Sequence, residues 1–307
     1  NMLADFHFKK GSSYDLKVEF YEPVANGKIR LIWNAGLKQD REEKIREAVA
    51  LAKRSDIAVI VAGIHEGEFQ DRAYLSPPGA QEELINAVAA TGKPVVVVLT
   101  GGSAITMDKW IGKASAVLMA WYPGEEGGNA VADVLFGDYN PAGRLPITFP
   151  VHESQLPLVY NHKPTGRGDD YHNLSGQPLF PFGYGLSYTR FEYSDLQISA
   201  AAIQPGDSAT ISFKIRNTGK LPGDEVVQVY VRDLLSSIAR PVMELKAFQR
   251  ISLKPSEEKT VSFTIGREAL SMLNQELKKV VEPGEFRIMI GSSSRDIRLK
   301  GILTVGE

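Results

Sequence analysis

Residues 40–62 read DREEKIREAVALAKRSDIAVIVA, and this stretch decides the fold class. In its first part Ile45, Ala48, Val49 and Ala52 fall at i, i+3, i+4 and i+7, which puts them on one face of a helix over 40–54. Residues 57–62 follow without a polar side chain, the pattern of a strand buried on both faces. That is one α/β step. It repeats over 81–99: a helix with Leu84, Ile85 and Val88 inward, a break at Gly92, Lys93 and Pro94, then an apolar run over 95–99. A third apolar strand over 116–120 precedes a helix over about 128–136 that stops at Gly137. The pattern predicts an α/β domain whose mostly parallel sheet is covered on two sides.

On the N-terminal side, Tyr14, Leu16, Val18 and Phe20 alternate with polar residues, Asn26-Gly27 is a hairpin signal, and Ile29, Leu31 and Trp33 alternate again. Two strands cannot bury a core by themselves. Residues 1–35 therefore read as the last strands of a β-domain, with the α/β domain occupying 36–158.

On the C-terminal side, 159–190 is rich in Pro, Gly, Tyr and His and ends in FPFGYG over 180–185, too aromatic for a flexible linker. It reads as a packed connector. Over 191–307 the period becomes two: Ile211, Phe213 and Ile215; Val227, Val229 and Val231; Val261, Phe263 and Ile265; Phe286, Ile288 and Ile290. Turn signals at Pro205-Gly206-Asp207, Asn217-Thr218-Gly219, Pro222-Gly223-Asp224 and Pro283-Gly284 separate them, which predicts a β-sandwich.

Composition narrows the function classes. At 307 residues the chain has room for two cores. The formal net charge of -2 offers no basic stripe for phosphates, so nucleic acid is excluded as an expected partner. No apolar run approaches the ~20 residues of a membrane span. With no cysteine, a thiolate nucleophile and a thiolate metal site are ruled out, while the compartment stays open. Five scattered histidines give no two-His zinc spacing.

In an open α/β sheet, ligands bind beyond the carboxyl ends of the strands. The loop after the first strand, IHEGEFQDR over 64–72, concentrates Glu66, Glu68, Asp71, Arg72 and His65 as no other loop does. Two interacting glutamates would raise at least one carboxyl pKa, and a carboxyl still protonated near neutrality can act as a general acid. Arg72 could clamp a carboxylate or a substrate hydroxyl. The plain alternative is a solvated loop in which Asp71 and Arg72 pair. The glycine loops at 100–103 and 124–128 suggest anion binding by exposed N–H groups, but neither has nucleotide-binding spacing.

Several motifs in order resemble glycoside hydrolase family 3. GEFQDR over 67–72 with LSPPGAQEELI over 75–85 is similar to the family segment in which a glutamate four residues before an arginine is the acid/base; Pro77 departs from its usual Leu. Residues 121–150, FPFGYGLSYT over 180–189, and Arg240-Pro241 with ELKAF over 244–248 resemble further family stretches, the last in its fibronectin-III-like domain. Residues 11–33 look like the end of a PA14 module inserted in the α/β sandwich domain. The resemblance implies Glu68 as general acid/base, with Glu66 the competing assignment and Asp71 and Arg72 in supporting roles. It implies a retaining, exo-acting β-glucosidase whose nucleophilic aspartate lies on a (β/α)8 barrel absent from this chain, acting on a β-glucoside or oligosaccharide without metal or organic cofactor. A β-xylosidase specificity and a non-catalytic carbohydrate-binding module are the alternatives. A periplasmic or secreted setting is expected, with the cytoplasm and a homodimer left open.

Overall fold

The computed structural model describes residues 8–21, 40–69, 71–165 and 170–307. Helix α1 (Arg41–Lys53) starts at Asp40, whose carboxylate accepts from the backbone N–H groups of Glu42 and Glu43. Then come β1 (Ala58–Gly63), α2 (Gln81–Ala89), β2 (Val95–Thr100), β3 (Ala116–Trp121) and α3 (Gly127–Phe136). Gly137 closes α3 with a left-handed φ of 86°, which a side chain would resist. The three strands pair in parallel in the order β1-β2-β3.

One face of this sheet is closed as the periodicity predicts. Ile60 and Ala62 of β1 and Val95, Val97 and Leu99 of β2 pack against Ile85 and Val88 of α2 and against Met107, Trp110 and Phe149. The other face corrects the expectation of cover on both sides. Val98 is buried there, but Val59 and Val61 of β1 are 51% and 71% exposed. β1 is an edge strand, and among the described residues no element lies over its outer face.

The second half builds β4 (Phe191–Ile198), β5 (Ala202–Ile203), β6 (Ala209–Asn217), β7 (Gly223–Asp233), β8 (Glu244–Leu253), β9 (Glu258–Ile265), a short α4 (Arg267–Leu270), β10 (Met272–Leu273), β11 (Lys279–Val280), β12 (Gly284–Gly291) and β13 (Ile297–Val305). A five-stranded sheet in the order β5-β13-β12-β7-β8 faces a three-stranded sheet β4-β6-β9, and β10 pairs with β11. The alternating apolar residues read from sequence are the inner faces: Ile211, Phe213 and Ile215 meet Val227, Val229, Val231, Phe286, Ile288 and Ile290 in one core. Each such side chain contributes roughly 1.5–3 kcal/mol by leaving water, which fixes strand register because a one-residue slip would turn the whole set outward.

The connector is packed. Tyr160 stacks on Phe182 at 4.2 Å and meets Tyr230 of β7 edge-on at 5.9 Å, while its hydroxyl accepts from the Leu245 N–H at 3.2 Å. Polar contacts join the two halves as well. Arg144 forms a buried ion pair with Glu225 of β7 at 2.8 Å, and Glu225 also accepts from the Tyr193 hydroxyl at 3.0 Å.

Residues 8–21 carry the first strand read from the alternation. No strand is formed there among the described residues, and Tyr14, Leu16, Val18 and Phe20 are exposed. The expected partner at 29–33 lies outside the described residues.

Candidate active site

The carboxyl ends of β1, β2 and β3 converge, and each contributes to one polar cluster. The loop leaving β1 is pinned at its base by Gln81, at the start of α2. Its amide oxygen accepts from the Gly63 N–H at 2.7 Å, and its nitrogen donates to the Gly63 and Pro78 carbonyls at 2.8 and 2.9 Å. Gly63 has to be glycine because a Cβ there would strike Thr100 on the neighbouring strand.

Above that base sits Glu66. One carboxylate oxygen accepts from the Gly102 N–H and from the Tyr122 hydroxyl, each at 2.5 Å; the other accepts from the Ser103 hydroxyl and lies 3.7 Å from the Arg72 guanidinium. Arg72 in turn donates to Ser103 Oγ at 2.7 Å and to the Ala104 carbonyl at 3.2 Å. Gly102 can come this close because it lacks a Cβ, which would overlap the Tyr122 ring.

The electrostatics follow from this geometry. Partial burial pushes the Glu66 carboxyl up, but the hydrogen bonds from Ser103, Tyr122 and the Gly102 amide, with the Arg72 charge, outweigh it and hold the pKa below the ordinary glutamate value. The Tyr122 hydroxyl is pushed up, chiefly because it donates to that carboxylate. A carboxylate held ionised by three donors is a structural anion. It is poorly suited to be the proton donor.

This corrects two expectations. The raised carboxyl expected of two interacting glutamates does not occur at Glu66, because cationic and N–H partners surround it rather than a second carboxylate. The alternative in which Asp71 and Arg72 merely pair also fails, since Arg72 is committed to Glu66, Ser103 and Ala104.

Glu66, Asp71 and Arg72 line one open cleft of about 450 Å³ together with Gly67, Leu75, Ser103 and Tyr122. Glu68 does not line it. It sits at the exposed turn beside Phe69, which has φ 62° and is 94% exposed, and no hydrogen bond or ion pair engages its carboxyl among the described residues. Gln70 lies outside the described residues. Sequence reasoning missed Ser103 and Tyr122 as partners of the loop. A signal for the first existed in the glycine loop at 100–103: its exposed N–H groups do bind an anion, and that anion is the side chain of Glu66.

The model of the glycosyl hydrolase family 3 C-terminal domain matches residues 9–188, more than half of the sequence, and a fibronectin type III-like domain matches 225–294. The chain belongs to glycoside hydrolase family 3. Within it, the sequence is 45% identical over 267 residues to the periplasmic beta-glucosidase of Salmonella typhimurium, covering 83% of this chain and 35% of that protein. It is 46% identical over 271 residues to a beta-xylosidase of Formosa agariphila, covering 86% and 38%. The crystal structure of a beta-glucosidase from Listeria innocua in complex with glucose superimposes with a TM-score of 0.82 at 36% identity, over 87% of this chain and 39% of that one. The chain thus spans little more than a third of these relatives. The family 3 C-terminal match begins at residue 9 and so runs through the segment read as the end of a PA14 module.

Proposed function

We propose that this chain supplies the acid/base side of the active site of a retaining, exo-acting β-glycosidase, most simply a β-glucosidase. The observation that carries the reading is a division of labour between two glutamates: Glu66 is fixed by four partners, and Glu68, two residues on, stands free and exposed on the loop so anchored. A proton donor to a substrate held by another domain needs this combination of a placed backbone and an uncommitted carboxyl.

In this reading Glu68 protonates the departing glycosidic oxygen while a carboxylate on the (β/α)8 barrel attacks the anomeric carbon. The same Glu68 carboxylate then takes a proton from the water that releases the sugar. The barrel belongs to the same enzyme and grips the sugar. Glu66, Arg72 and Asp71 serve by shaping the loop and the cleft beside it. Residues 36–158, 159–190 and 191–307 then act as α/β domain, connector and sandwich, and 1–35 as the end of a PA14-like insert.

The experiment is complementation. This chain is mixed with a barrel-containing chain and assayed on aryl β-glucosides and β-xylosides with good and poor leaving groups, beside Glu68→Ala. Turnover is expected to fall by about 10²–10⁴ in the variant on poor leaving groups and by less on good ones. Equal activity of variant and wild type on a poor leaving group would remove Glu68 from the mechanism. Faster turnover of the xyloside would assign the β-xylosidase specificity, which the similarity to the Formosa agariphila enzyme favours as the second reading.

A further inference from the structure

A second cleft, of about 490 Å³, opens between the connector and the five-stranded sheet, away from the loop that carries Glu68. Its lining includes Lys163, Arg232, Arg295 and His162 beside the rings of Phe182 and Tyr171, and no carboxylate lines it among the described residues. The reason lies in the strand pattern of β7. Val227, Val229 and Val231 enter the sandwich core, so Gln228, Tyr230 and Arg232 face the connector.

On that face Arg232 stands directly opposite Arg287 of β12. Like charges in a cross-strand pair destabilise a sheet unless something neutralises them. Of the neighbouring carboxylates, Asp233 faces the opposite side and pairs with Arg240 at 3.9 Å, Glu244 is shared by Arg240 and Lys246, and Glu285, two residues from Arg287 on the same face of β12, is exposed to solvent. Neither Arg232 nor Arg295 has a hydrogen bond or ion pair through its guanidinium among the described residues. Arg232 is half-buried, so water screens it less than it would a surface side chain.

We propose that this cleft binds a small organic anion through Arg232 and Arg295, with Lys163 at its rim and the sugar-like body of the ligand against the Tyr171 ring. A bare oxyanion would leave most of the cleft empty; a sugar acid or sugar phosphate matches its volume, which falls in the ordinary range for small-molecule sites. The inference is independent of the role given to Glu68.

The test is calorimetric titration of the 307-residue chain at matched ionic strength with glucuronate, inorganic phosphate and neutral glucose. Saturable binding of glucuronate with none of glucose is expected, and Arg232→Gln weakens it roughly tenfold or more, as loss of a charged hydrogen-bond donor does. Lys278→Ala, at the exposed turn between β10 and β11, retains wild-type binding. Glucuronate bound ahead of phosphate would support an acidic sugar; phosphate bound as tightly as glucuronate would overturn the organic body of the ligand. If neither anion bound more tightly than glucose, or if a folded Arg232→Gln chain kept full affinity, the proposal would be overturned. The wild-type comparison decides the matter even where the variant fails to fold.

Discussion

Replacing Glu66 by Gln tests whether this anion holds the loop that leaves β1, because it keeps the shape of the side chain and removes its charge. The glutamine oxygen can still accept from Gly102 and Tyr122. Its amide nitrogen then faces Ser103 Oγ, which already accepts from Arg72. Three hydrogen bonds to a charged acceptor become bonds to a neutral one or are lost. At about 1 kcal/mol difference per bond, trimmed because the Glu66 side chain is 18% exposed, the α/β half should lose about 2 kcal/mol.

The pH dependence has a definite sign. The folded-state pKa of Glu66 lies below the ordinary value of 4.5, so its stabilisation is fully present above that value and is lost as pH falls through the lowered one. Urea unfolding at pH 7 and through the acid range, followed by the fluorescence of Trp121 beside Tyr122, should show the gap between wild type and Glu66→Gln closing only below about pH 4.5. In the complemented enzyme the variant should lose turnover through misplacement of Glu68. Equal stability at pH 7, or a gap that widens in acid, would refute the reasoning.

Two further outcomes are expected. Arg144→Ala removes the ion-pair partner of the buried Glu225 carboxylate at the seam between the halves, leaving it the Tyr193 hydroxyl, and should cost about 3–5 kcal/mol, read as a lower urea midpoint. Val61→Lys, on the open face of β1, should change stability by less than about 0.5 kcal/mol, whereas Val98→Lys on the same face of β2 should unfold the sheet, a contrast visible in thermal melts.

Much of the architecture was legible because local rules agreed with one another. The helical spacing over 40–54, the cap at Asp40 and the stop at Gly137 report forces that act within a few residues. The alternation at 211–215, 227–231, 261–265 and 286–290 reports the inner faces of a sandwich. Edge elements were harder to read. β8 does not alternate cleanly because it lies at the rim of its sheet and buries few side chains. β1 is as apolar as a strand buried on both faces, yet among the described residues one of its faces is uncovered, and sequence cannot say what lies across a strand.

The sequence by itself determined that two cores are present, that the α/β half carries one charged loop at the end of its first strand, and that the loop holds two candidate glutamates. Only the tertiary structure separates the two by their surroundings. Glu66 and Glu68 are chemically alike and two residues apart, but the groups that capture the first, Ser103 and Tyr122, are 37 and 56 residues away and reach it only because three parallel strands end side by side. Hydrogen bonding and charge act over a few ångströms of space, so a carboxylate is tied down or left free by neighbours that the order of the chain does not reveal.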